Sequence, residues 1–247
     1  MFSPEERVRV RERVLALARG EPRITGGAVT GSAAVGAEDR WSDIDLSFGV
    51  ADDVDLMAVL AGWTDQLSRE LGVVHHWDLR SGPTIYRVFL LPGGLELDVA
   101  VTHAGEFGSR GPKFRLQFGE GVERAAAGSP AVDELIGMGW LCALDARAAI
   151  ERGRLWAAEY WISSLRDQAL ALACLRFGEP PAYARGIDRL PPEVLAPYQR
   201  GLVRSLDPDE LRRALGAASE LFIGEVAETA PELAEPLRVT LTDAAPR

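Results

Sequence analysis

Polar and apolar residues alternate along DIDLSFGV, residues 43–50, the period-two pattern of a strand buried on one face. Just upstream, ITGGAVT (24–30) is small and strand-like and runs directly into Gly31-Ser32. Downstream, an amphipathic helix is predicted over about 53–71, started by Asp52 or Asp53 and closed by Gly72. Three more strands are expected at VVHHWDLR (73–80), TIYRVFLL (84–91) and LELDVAVT (95–102), and Pro-Gly-Gly at 92–94 marks a hairpin turn between the last two. Ahead of them all, Ser3, Pro4 and Glu6 form the start signal of a first helix that Gly20 ends. Its arginines Arg7, Arg9, Arg11 and Arg13 read as solvated surface.

After His103 the pattern changes. Residues 104–113 are glycine-rich and irregular, FRLQF (114–118) reads as one more short strand, and from Ser129 onward nearly everything reads as helix. Ser129-Pro130 and Asp207-Pro208 each look like an N-cap followed by a first-turn proline, with Glu210 completing a capping box for the second. A Pro/Gly-rich stretch from Gly178 to Pro192 separates helices. The expected fold class is therefore α+β: an N-terminal α/β domain with a small mixed sheet, residues 1–125, then an all-α helical-bundle domain, residues 126–247. There is no internal repeat or low-complexity segment.

Charge narrows the partners. The net charge is −10, and it is evenly spread: residues 126–247 hold 18 acids and 13 bases, leaving 19 and 14 for residues 1–125. A nucleic-acid partner is disfavoured, because polyanion binders carry a basic face. An acidic surface suits solubility or a small cationic substrate. No apolar run reaches the roughly 20 residues that span a bilayer, so no membrane partner is expected, and the charged N-terminus MFSPEERVRVRER lacks an apolar signal core. Cys142 and Cys174, far apart in helical patterns, read as small core residues in a reducing compartment; the cytoplasm is the expected location.

Candidate chemistry lies between Gly31 and Leu46. On a strand, residues two apart share a face, so Asp43, Asp45 and Ser47 point one way while Ile44, Leu46 and Phe48 point into a core. In LELDVAV, Leu97, Val99 and Val101 take the core face, and Asp98 projects with Glu96 to the other side. If the two strands are neighbours, three carboxylates meet on an open face. Close carboxylates repel unless a cation intervenes, and oxygen-only ligands favour magnesium or manganese. Two such ions suit an in-line displacement of pyrophosphate. A glycine such as Gly31 lets backbone approach a phosphate, and Ser32 offers a hydroxyl.

Gly31-Ser32, ten residues, Asp43-Ile44-Asp45, then the apolar-flanked Asp98 resembles the DNA polymerase beta superfamily of nucleotidyltransferases. The Trp41-Ser42-Asp43-Ile44-Asp45-Leu46 version, ahead of a helical domain, resembles the aminoglycoside and lincosamide antibiotic nucleotidyltransferases. The resemblance implies that Asp43 and Asp45 bind two magnesium ions (manganese is the alternative), that Asp98 joins the ion that activates the acceptor hydroxyl, and that Gly31 and Ser32 hold the phosphates of a nucleoside triphosphate. Many members carry a basic residue where this chain has Val35, which leaves Arg40, Arg110 or Lys113 to meet the phosphates.

The implied activity is transfer of a nucleoside monophosphate, AMP from ATP, to a hydroxyl of a small acceptor such as an aminoglycoside-like antibiotic. The second reading is a non-catalytic nucleotide-binding antitoxin or regulatory module that holds a partner protein. A toxin-type ribonuclease is disfavoured, since the only histidines, His75, His76 and His103, all lie in the N-terminal half and leave the helical domain without its Arg-x(4–6)-His signature. An RNA nucleotidyltransferase lacks its basic surface. Monomer and homodimer both stay open.

In the helical domain, Glu159, Ser163 and Arg166 form one polar stripe on an otherwise apolar helix over about 152–177. It is either an exposed edge with an intrahelical Glu–Arg pair or a face turned to a cleft. On the second reading the resemblance to the antibiotic nucleotidyltransferases, in which a helical-domain acid often takes the proton, implies Glu159 as the candidate general base, followed by Asp167 and Glu96. Trp156 and Tyr160 either line a substrate pocket or fill the helical core, of which the core is expected, and Trp41 stacks on a base or packs at the rim. His75 and His76 point to opposite faces of a strand, so they cannot chelate one ion, and one imidazole is expected to pack while the other is exposed.

Overall fold

The computed structural model describes residues 3–125 and 128–242. The chain divides into two compact units, Met1–Ala127 and Gly128–Arg247. The first is α+β and the second is all helix and turn.

In the first unit, helix α1 (Pro4–Arg19) opens with a complete capping box: the Ser3 hydroxyl accepts from Glu6 N–H at 3.2 Å and the Glu6 carboxylate accepts from Ser3 N–H at 2.7 Å. Strand β1 (Ile24–Thr30) leads into a single turn, α2 (Gly31–Ala34), and then β2 (Ile44–Val50). Helix α3 (Leu56–Leu71) ends at Gly72 in the left-handed conformation, φ +67°. The hairpin β3 (His75–Ser81) and β4 (Thr84–Leu90) follows, then β5 (Glu96–His103) and β6 (Phe114–Gly119). The sheet order is β3-β4-β5-β2-β1-β6. All neighbours are antiparallel except β2 and β5, which run parallel. That parallel pair is possible because α3 and the hairpin supply the long crossover it requires.

The period-two pattern fixes which way the central strands face. Ile44, Leu46 and Phe48 of β2 and Leu97, Val99 and Val101 of β5 are buried against Val14, Leu15 and Ala18 of α1 and Val59, Leu60, Trp63 and Leu67 of α3. Trp63 meets Phe48 edge to face, ring centroids 5.0 Å apart. Arg87 is buried on the same face; it donates twice to Asp78 at 2.6 Å and once to the Thr64 hydroxyl at 2.9 Å, tying β4 to β3 and α3. Asp45, Ser47 and Asp98 point the other way.

In the second unit, α4 (Val132–Glu151), α5 (Leu155–Arg176), α7 (Pro208–Thr229) and α8 (Pro231–Thr242) share one core, with the short α6 (Pro192–Leu195) and 3-10 turns filling the Gly178–Pro192 region and its sequel. Gly139 of α4 lets Phe222 of α7 come close, since a Cβ there would lie 2.2 Å from the Phe222 ring. Arg176 donates twice to Glu225 at 2.9 Å, and the buried Tyr198 hydroxyl has two acceptors for its one proton, the Ala169 carbonyl at 3.2 Å and the Glu225 carboxylate at 3.3 Å. Burial first, and then the Glu225 charge, push that hydroxyl's pKa upward.

Four expectations change. α3 starts at Leu56 behind Asp55, whose carboxylate accepts from Met57 N–H, because Asp52 is engaged with Gly105 N–H at 3.2 Å. α4 starts at Val132 behind Ala131 with no side-chain cap, so Ser129-Pro130 belongs to the lead-in, and Asp133 and Glu134 complement the helix dipole instead. Asp207 does cap α7, but the Glu210 carboxylate turns to Arg204 N–H and Arg213 rather than back to the cap. Trp156 and Tyr160 are 77% and 60% exposed, not core. The buried stripe of α5 is Ala158, Ile162, Leu165, Ala169 and Leu172, and a residue two positions off that stripe is rotated about 200° away from it.

Candidate functional site

At the end of β1 the chain enters a left-handed residue, Gly31, φ +65°. A Cβ there would lie 1.8 Å from Asp45 Oδ2, so the Asp45 carboxylate rests directly against this backbone. Ser32 follows, its Oγ buried and without a hydrogen-bond partner among the described residues. Its carbonyl accepts from Val35 and Ala37 N–H, which closes the turn.

The loop from Gly36 to Ser42 then delivers Asp43. The Asp39 carboxylate accepts from Trp41 N–H at 2.8 Å and from the Ser42 hydroxyl at 3.1 Å; the first of these does most to hold Asp39 below the usual carboxylate range. Arg7 and Arg11, read from the sequence as solvated, are 2% and 8% exposed. The Arg7 guanidinium donates to the Arg40 carbonyl at 2.8 Å, and Arg11 donates to both Glu38 carboxylate oxygens at 3.0 and 3.2 Å. Arg9 and Arg13 are exposed as expected, Arg13 pairing twice with Glu70 at 2.6 Å.

In the sheet, Asp45 stands opposite Asp98 in the parallel β2–β5 register. One carboxylate oxygen from each of Asp43, Glu96 and Asp98 lies within 4.8 Å of the other two. Glu96 thus takes the third place in the closest group, where the sequence suggested Asp45; residues 96 and 98 are two apart on β5, and the strand period that projects one projects the other. Asp45 remains near enough that its charge, after burial and Glu96, pushes the Asp98 carboxyl up to about 7, with Asp43 and hydrogen bonding to Glu96 adding to the effect. Asp98 Oδ1 is buried with no hydrogen-bond partner among the described residues. A buried acceptor without a donor, amid three other carboxylates, is unfavourable unless a cation sits there. The all-oxygen donor set fits magnesium or manganese.

A cavity of about 410 Å³ opens beside this group, lined among others by Arg40, Trp41, Asp43, Gly93, Gly94 and Glu96. The Arg40 guanidinium lies 4.8 Å from the centre of the exposed Trp41 ring. Of the other cations considered for the phosphates, Arg110 lines a separate depression with Ser109, Phe114 and Leu116, and Lys113 is exposed. Arg115, which sequence reasoning passed over, reaches the Ala33 carbonyl of α2 from β6 at 3.4 Å. No local motif marks it, because the β1–β6 pairing brings it there.

Glu159 is half-buried on α5 of the second unit and accepts from the Ser163 hydroxyl at 2.8 Å. Arg166 pairs with Asp167 at 3.4 Å. His75 and His76 are both exposed on the edge strand β3, with ring centroids 6.2 Å apart, so the expectation of one packed imidazole is not met, although the His76 ring lies 6.1 Å from that of Phe89.

No helix among the described residues is long and apolar enough to cross a membrane. No family model and no curated protein matches this chain. Among solved structures it is similar to an aminoglycoside 6-adenyltransferase from Bacillus subtilis, at 14% identity over 99% of each chain with a TM-score of 0.43. It is also similar to the polymerase core of TRAMP, an RNA surveillance complex, at 15% identity over 91% of this chain and 59% of that one, with a TM-score of 0.31.

Proposed function

We propose that this chain transfers a nucleoside monophosphate, AMP from ATP, to a hydroxyl of a small cationic acceptor such as an aminoglycoside-like antibiotic. The observation that carries the proposal is the meeting of Asp43, Glu96 and Asp98, with one buried Asp98 oxygen that has no hydrogen-bond partner among the described residues, next to an Asp45 that rests on the Gly31–Ser32 turn. In this reading Asp43, Asp45 and Asp98 hold two magnesium ions, and Glu96 borders them. When bound, the ions supply positive charge against the phosphoryl oxygens and the departing pyrophosphate.

The rest falls to the chain's own residues. Gly31 lets backbone approach the terminal phosphates, the Ser32 hydroxyl, without a partner among the described residues, donates to them, and Arg40 adds charge from the cavity wall. The acceptor oxygen bonds to the α-phosphorus as the bond to pyrophosphate breaks. Its proton passes to a carboxylate, for which Glu96 is the candidate that borders the metal ligands. The acidic site draws a cationic acceptor. Neither nucleic acid nor membrane enters this scheme, which a monomer or a homodimer can carry out.

The test is incubation with magnesium, each of the four nucleotides and a panel of aminoglycosides and lincosamides, with products read by mass spectrometry. A nucleotidyl adduct absent from Asp45→Asn is expected. Magnesium-dependent nucleotide binding with no adduct on any acceptor would favour the regulatory module, and no nucleotide binding would overturn the three-aspartate reading.

A further inference from the structure

We propose that Arg7 and Arg11 of α1 are positioning residues for the metal ligand Asp43, acting through Glu38 and the backbone of Arg40. This rests on the metal assignment above and adds to it the device that sets one ligand in place.

Asp43 ends a loop that runs from Gly36 to Ser42 with no strand or helix of its own. What fixes the loop is polar. Its own Asp39–Trp41–Ser42 turn shapes the last four residues. Three hydrogen bonds then anchor the turn to the unit's core: two from Arg11 to the Glu38 carboxylate, and one from Arg7 to the Arg40 carbonyl three residues before Asp43. Arg7 Nε also lies 3.9 Å from Glu38. Both arginines are nearly excluded from water on a helix whose Val14, Leu15 and Ala18 are locked into the sheet core, so the anchor points belong to the rigid part of the unit. A guanidinium buried this deeply, with its carboxylate partner supplied from more than 25 positions away, is costly to remove on one side only. Arg7 also lines the same cavity as Asp43 and Glu96. The carboxylates of Asp45 and Asp98 are placed by paired strands; that of Asp43 depends on this clamp.

The proposal separates cleanly from simple electrostatics. Removing a positive charge near an acidic site should by Coulomb's law tighten binding of a divalent cation. Loss of a positioning contact should weaken it, typically about 10–100-fold.

The experiment is titration of the protein with Mn²⁺ alone, reading free ion by electron paramagnetic resonance, with circular dichroism and thermal melting on every variant. Arg11→Met is expected to weaken Mn²⁺ binding at least about tenfold, and Arg11→Lys to recover most of it. Should Arg11→Met not fold, the charge-neutral double change Arg11→Met with Glu38→Met carries the same expectation. A folded Arg11→Met or double variant that binds Mn²⁺ as tightly as the wild type, or more tightly, overturns the positioning role even if its melting temperature falls. Wild-type protein that takes up no Mn²⁺ at millimolar concentration overturns the metal assignment itself, an outcome visible before any variant is made.

Discussion

Gly31 shows how little room the site leaves. Its left-handed φ and the Asp45 oxygen lying where a Cβ would go both exclude a side chain. Gly31→Ala is therefore expected to cost about 1–3 kcal/mol of stability and, by displacing the Asp45 carboxylate, to lower Mn²⁺ affinity well beyond what a stability loss alone produces; calorimetric titration of the folded variant checks this. Asp98 gives a pH prediction. Its carboxyl sits at about 7, raised by burial and by Glu96, Asp45 and Asp43. A carboxyl raised on folding contributes stability that is fully present below about pH 4 and lost as pH rises through about 7. Protons and a divalent cation compete for this group, so added magnesium should raise the melting temperature more at pH 8 than at pH 6. An equal shift at both pH values would argue that Asp98 does not meet the ion. Asp45 and Asp98 were legible in the sequence because strand alternation is local. The burial of Arg7 and Arg11 was not, because nothing near them in the chain announces Glu38 as a partner.

Among the elements, the start signals divide by what else their residues can reach. Ser3 and Asp207 cap the helices the sequence assigned to them, and Asp207→Ala should cost about 1 kcal/mol in a denaturant melt. Ser129→Ala should leave stability within about 0.5 kcal/mol of wild type, since Ser129 lies outside the first turn of α4. Asp52 illustrates the same point: a plausible cap by composition, it is drawn to Gly105 N–H, and Asp55 caps α3 in its place. The exposed Trp156 and Tyr160 were misread because α5 is apolar on most sides, and only packing with α4 and α7 decides which side is inward. Trp63, legible as part of an amphipathic helix, is buried against Phe48 beneath the carboxylates' strand, and Trp63→Ala should destabilise the first unit by about 3–5 kcal/mol.

For the whole chain, each unit has its own buried core. The α+β character and the helical character of the two parts were readable from the switch in hydrophobic period after residue 103; the order of the strands was not, since it depends on which edges meet. Residues 1–127 expressed alone are expected to melt cooperatively and keep Mn²⁺ binding, while residues 128–247 alone should melt cooperatively without it. The parallel pairing of β2 with β5 has a kinetic consequence. It joins Asp45 to Asp98 across 53 positions of chain, whereas the β3–β4 hairpin and the helices close over short distances. Distant contacts form late, because the chain must first surrender the freedom of everything between them. During refolding, then, helical signal should recover before the ability to capture Mn²⁺, and the lag between the two would time the moment at which a polypeptide that is already compact becomes competent for chemistry.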